Sequence, residues 1–92
     1  MQLTLANSIA ASDDAVFREL NGESVVLNLE SGMYYGLDEV GTRVWQLAAP
    51  GATLAQVLEC VTDEFEVDRA TAEHDVLELA GTLIDKGLWI AR

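Results

Sequence analysis

Few side chains in this sequence could do chemistry, and each fails at its spacing. There is one cysteine, Cys60, and one histidine, His74. Cys60 has Glu59, Asp63 and Glu64 as charged neighbours. A reactive thiol needs an electropositive neighbourhood, which these acids do not supply, and Cys60 reads as a small core residue. His74 has Asp75 beside it and Glu78 four residues on. Adjacent helical residues point about 100° apart, so His74 and Asp75 are no acid–base pair, and His74–Glu78 reads as a surface pair. Two further ligands for a zinc-like site are not evident. Asp63, Glu64, Glu66 and Asp68 lack the ordered spacing and glycine of a calcium loop and read as a solvated corner that caps a helix. No phosphate-cradling glycine loop, nucleophile elbow or CxxC pair occurs. No enzymatic activity, cofactor or metal is expected.

Charge narrows the partners. Five Lys and Arg against sixteen Asp and Glu give a net charge of −11, which opposes binding to nucleic acid and to anionic membrane surfaces. The opening residues MQLTLANSIAASDDA have no basic stretch and no apolar run of signal-peptide length, and no run approaches a membrane span. The setting expected is cytoplasmic and reduced.

The elements that position side chains follow from period and punctuation. Ninety-two residues, half of them hydrophobic, make a single domain over 1–92, with 1–12 expected to be loosely ordered. AVFREL (15–20) and SVVLNLE (24–30) flank Asn21-Gly22, a hairpin signal. MYYGL (33–37) makes a third strand after Ser31-Gly32, with Met33, Tyr35 and Leu37 on one face and Tyr34 on the other. Period 2 then gives way to helix. DEVGTRVWQLAA (38–49) carries Val40, Val44, Leu47 and Ala48 at helical spacing and ends at Pro50-Gly51. Thr53 and Gln56 form a capping box for a second helix with the stripe Leu54, Val57, Leu58, Val61 and Phe65. A third helix starts at Asp68 or Thr71 and runs to Lys86, with Gly87 after it; LWIA (88–91) is a short strand or an ordered tail. The class is therefore α+β, a three-stranded antiparallel sheet followed by three α-helices.

Two features point beyond a bare scaffold. Val76, Leu77, Leu79, Ala80, Leu83 and Ile84 spread over roughly 160° of the third helix, wider than one contact requires. Either the helix packs centrally on both neighbours, or one edge lines an open groove; both can hold at once. MYYGL, as the outer strand, lacks the Lys, Pro or bulge that usually blunts an edge. Such an edge is an aggregation hazard or a docking site for an added strand, unless Tyr34 and Tyr35 merely cover the core.

The run N-L-E-S-G-M-Y-Y-G-L-D-E-V-G-T-R-V-W-Q-L (28–47), with T-L-A-Q-V-L-E-C-V-T-D-E-F-E-V-D and D-V-L-E-L-A-G-T-L-I-D-K-G-L after it, resembles the PqqD-like family of recognition elements for ribosomally made, modified peptides. The likeness covers about residues 14–90. It implies a winged helix-turn-helix-like, non-catalytic domain that holds a precursor's leader peptide as an extra strand against the third helix. By position it implies leader contacts at Met33, Tyr34, Tyr35, Gly36 and Leu37, and on the helix at Asp75, Val76, Leu79, Thr82, Leu83 and Lys86. Trp45 would be a core residue. The chain lacks the proline-rich stretch and the Leu-Leu-x-Pro-Glu-like passage of the pyrroloquinoline quinone branch, and is more similar to the separate leader-binding proteins of lasso-peptide pathways. Those act beside a leader peptidase and a cyclase. The expected partners are a leader region and a modifying enzyme such as a leader peptidase, with the chain a monomer or weak homodimer. The alternatives are a peptide chaperone of pyrroloquinoline quinone biosynthesis and a winged-helix regulator of a protein or DNA. Against DNA, the third helix offers only Arg69 and Lys86 as cations.

Overall fold

The structure is a computed structural model that describes residues 3–48 and 51–92. Eight elements follow one another: β1 (Ile9–Ala11), β2 (Ala15–Leu20), β3 (Glu23–Asn28), β4 (Tyr34–Leu37), α1 (Glu39–Ala48), α2 (Leu54–Glu64), α3 (Arg69–Asp85) and β5 (Trp89–Ala91). β2, β3 and β4 form an antiparallel sheet in that order, and β1 pairs antiparallel with β5. The α+β class and the order of sheet then helices are as the sequence indicates.

Local chemistry accounts for the turns. Asn21 at φ 57° and Gly22 at φ 85° supply the two left-handed residues a tight hairpin needs. The capping box of α2 is complete: Gln56 N–H donates to Thr53 Oγ1 at 3.2 Å, and Thr53 N–H donates to Gln56 Oε1 at 2.9 Å. Asp68 caps α3 by accepting from Thr71 N–H. The proposed helix stop at Pro50 lies outside the described residues.

The inner face of the sheet carries Phe17, Val26, Tyr35 and Leu37, facing the helices. Trp45 of α1 is buried there, stacked between Phe17 (5.7 Å between centroids) and Trp89 (5.5 Å). Within the stretch 1–12, residues 8–11 are tied down. Ile9 is fully buried and pairs with Ala91, and Ser8 N–H donates to the Arg92 carbonyl at 3.2 Å. The outer face of the sheet leaves Leu20, Val25 and Tyr34 exposed.

Helix α3 packs on α2 and β5 and buries Ala72, Val76, Ala80 and Leu83. Leu77, Leu79 and Ile84 lie half-buried against the core on either side of that line. The wide apolar arc thus serves both packing and an open edge. No helix among the described residues is long and apolar enough to cross a membrane.

Candidate peptide-binding groove

Strand β4 is at the edge of its sheet, and its hydrogen-bond parity can be read from its neighbours. Asn28 N–H donates to the Met33 carbonyl at 2.8 Å, and the register pairs Val26 with Tyr35 and Ser24 with Leu37. Bonded and non-bonded pairs alternate in an antiparallel ladder, so Tyr35 and Leu37 direct their N–H and C=O groups into the sheet. The same alternation holds on the far side of β3, where Leu29 N–H donates to the Asp14 carbonyl at 2.8 Å. Tyr34 and Gly36 therefore aim theirs outward, where no strand among the described residues pairs with them.

Beside this edge is a cavity of about 410 Å³. Tyr35, Gly36 and Leu37 form one wall, Asp75, Val76 and Leu79 of α3 the other. Val40, Gly41 and Val44 of α1 close one end, and Val61 and Val67 close the base near the α2–α3 turn. Asp38 and Asp75 are exposed at its rim. The α1 start is held there because Asp38 Oδ1 accepts from Gly41 N–H at 2.8 Å. Gly41 lies close to its neighbours: a Cβ would come within 3.3 Å of a Leu37 side-chain carbon and 3.2 Å of Asp38 Oδ1, so those side chains would have to shift by a few tenths of an ångström. Thr42 Oγ1 then shares a buried 2.8 Å hydrogen bond with Ser24 Oγ, fastening α1 to β3.

At the other end of β4, Lys86 Nζ sits 5.4 Å above the centre of the Tyr35 ring. Its backbone is fixed by Asn28, whose Nδ2 donates to the Lys86 carbonyl at 3.0 Å. An apolar slot beside unpaired backbone groups can accept an extended peptide through main-chain bonds and one seated side chain.

A model of the family described as Coenzyme PQQ synthesis protein D (PqqD) matches residues 23–88. The chain belongs to the PqqD family. Among solved structures, this PqqD-family chain is similar to TbiB1 in complex with the TbiA(beta) leader peptide, at 35% identity and a TM-score of 0.81, covering 87% of this chain and 93% of that one. It is also similar to a lasso peptide synthetase B1 complexed with the leader peptide, at 25% identity and a TM-score of 0.80, covering 90% and 98%. No curated protein sequence matches it significantly.

The PqqD-family fold gathers Tyr35, Gly36, Leu37, Asp75, Val76 and Leu79 around the cavity, with Lys86 over Tyr35. Met33 precedes β4 and, like Tyr34, is strongly exposed and does not line the cavity. Thr82 donates its hydroxyl to the Glu78 carbonyl of its own helix at 3.1 Å and does not line the cavity. Leu83 is a correction. It is 0% exposed, so it supports the groove from beneath and offers a ligand no surface. Reasoning from the sequence missed Val40, Val44, Val61, Val67 and Ala72 as lining residues. Val40, Val44 and Val61 were legible as helix stripes, but a stripe does not say whether it faces a core or a cleft.

The remaining reactive groups are placed apart from the groove. His74 Nε2 lies 3.0 Å from Glu78 Oε2, both exposed. Cys60 is a half-buried free thiol. Arg43 donates to both Glu64 carboxylate oxygens, at 2.7 and 3.0 Å, and this hydrogen bond holds the Glu64 carboxyl below its ordinary value. Among the described residues no cluster of three His, Cys, Asp or Glu could hold a metal ion.

Proposed function

We propose that this chain binds the leader region of a ribosomally made precursor peptide as an added strand on β4, and presents it to a separate modifying enzyme without catalysing a reaction itself. The observation that carries the reading is the outward-facing backbone of Tyr34 and Gly36 beside a preformed apolar cavity. In an antiparallel addition, peptide residues opposite Tyr35 and Leu37 point toward α3, and the one opposite Leu37 enters the cavity. Met33, Tyr34, Tyr35, Gly36 and Leu37 supply the strand side; Asp75, Val76 and Leu79 supply the helix side.

The lasso-peptide branch is favoured because two structural neighbours are B1-type proteins in leader complexes. A peptide chaperone of pyrroloquinoline quinone biosynthesis is the second reading, favoured by the description of the matching family. The enzyme served would be a leader peptidase in the first case, and the setting is the cytoplasm, where ribosomal peptides are made. The whole residues 1–92 act as one recognition domain, as a monomer or weak homodimer. A winged-helix regulator is disfavoured, since a chain of net charge −11 repels duplex DNA.

Fluorescence anisotropy with synthetic leader peptides, from precursors encoded beside this gene and from the TbiA(beta) leader, tests the proposal. Saturable binding that Leu79→Trp weakens supports it. No binding to any leader, with capture of a globular partner instead, would overturn it.

A further inference from the structure

The charge along the groove is uneven. Of the five cations, Arg43 is paired with Glu64 at 2.7 Å and Arg69 with Glu59 at 2.9 Å. Arg18 projects from the outer face of the sheet, on the side away from the cavity, and the Arg92 backbone pairs with Ser8 beside the β1–β5 ladder. Lys86 makes no ion pair among the described residues and is exposed. Two hydrogen bonds and a glycine turn hold its main chain in place. Its N–H donates to the Thr82 carbonyl at 3.0 Å, its carbonyl accepts from buried Asn28, and Gly87 turns the chain at φ 72°. A Cβ at Gly87 would come within 3.0 Å of Asn28 Nδ2, so a side chain there would crowd the hydrogen bond that ties the helix end to β3. With the main chain fixed there, the ammonium group lies over the Tyr35 ring, 5.4 Å from its centre. At the opposite end of β4, Asp38 and Asp75 are both negative.

Resting on the strand-addition reading, we infer that Lys86 selects an acidic side chain in the bound peptide and so fixes its register. In antiparallel pairing the peptide runs from the Leu37 end of β4 to the Met33 end. Groove-facing positions recur every second residue. The acid then falls two or four residues C-terminal to the apolar side chain in the cavity, opposite Tyr35 or Met33. Elsewhere along the groove a carboxylate meets Asp38, Asp75 and the field of a chain with net charge −11. A slipped register places the acid there, so Asp38 and Asp75 reject it while Lys86 attracts the acid in the right register. A lysine at a helix C-terminus also favours the helix dipole, but that role is indifferent to the peptide.

The test is selection from a displayed library of random peptides of strand length on the intact chain, on Lys86→Glu and on Lys86→Arg, with near-UV circular dichroism to confirm folding. Wild type should enrich a large apolar residue followed two or four positions later by Asp or Glu. Lys86→Glu should keep the apolar position and exchange the acid for Lys or Arg, while Lys86→Arg keeps the acid. Replacing the acid by Lys in a selected peptide should weaken wild-type binding roughly three- to fivefold, the scale of a partly exposed ion pair, and Lys86→Glu should restore it. An apolar consensus with no acid, or one unchanged by Lys86→Glu, overturns the role of Lys86 and leaves strand addition standing. No enrichment on any of the three proteins overturns both.

Discussion

Proline at Gly36 tests the register of β4 most sharply. The Gly36 N–H points away from β3, and a Cβ there would meet nothing within 4 Å, so the ring has room and no intrasheet bond is lost. What is lost is one donor to an incoming strand, which leaves a peptide carbonyl without a partner. That costs about 1–3 kcal/mol, or roughly 5- to 150-fold in dissociation constant. The melting temperature of the free protein should change little. Tyr35→Pro should do the reverse to stability: it removes an inward donor opposite Val26, a fully buried residue, at a cost of about 1–3 kcal/mol and a drop of roughly 4–20 °C. Anisotropy with the leader peptide and a thermal melt read both effects. Gly36→Pro that folds and binds as wild type would refute the outward register, as would Tyr35→Pro that melts normally yet binds weakly.

Other expectations follow from single contacts. Leu79→Trp overfills the cavity wall and should weaken leader binding roughly tenfold with little change in melting; wild-type affinity would show that no side chain is seated there. Asn28→Ala removes bonds to the Lys86 carbonyl and from the Glu30 and Ser31 N–H groups, and should cost about 2–3 kcal/mol, read as a melting point roughly 10 °C lower or more. An unchanged melting point would mean water replaces those contacts. Because Arg43 holds Glu64 below its ordinary value near 4.5, the pair's contribution is present above that value and is lost as pH falls through the folded one. Glu64→Gln should therefore lower the melting temperature slightly at neutral pH and not at all in acid. A gap that persists in acid would assign the effect to packing.

Local signals carried most of the fold into the sequence. Asn21-Gly22, the Thr53–Gln56 box, Asp68 and Gly87 each act within a few residues, and the structure places turn, caps and helix end at those residues. LWIA was legible as a short strand or an ordered tail, but its pairing with β1 was not, for the opposite reason. Each strand has three residues, and Ile9 meets Ala91 across almost the whole chain, so neither segment carries a period long enough to read. The edge of β4 was legible because MYYGL has no blunting residue, but which backbone groups point outward depends on pairing with β3. On α3, Leu79 and Leu83 are both apolar and one turn apart, yet one lines the cavity and the other is sealed in the core. The phase of a helix against its neighbours is a tertiary fact that hydrophobicity alone does not encode. Val67 gave no signal, since it lies in the turn between helices where no periodicity applies.

Residue-resolved amide hydrogen exchange with and without the leader peptide tests strand addition on β4 most directly. The Tyr34 and Gly36 amides should exchange quickly in the free protein and become protected on binding, while Tyr35 and Leu37, already bonded to β3, stay protected throughout. Protection that appears on α3 or the outer sheet face while Tyr34 and Gly36 remain fast would contradict the account.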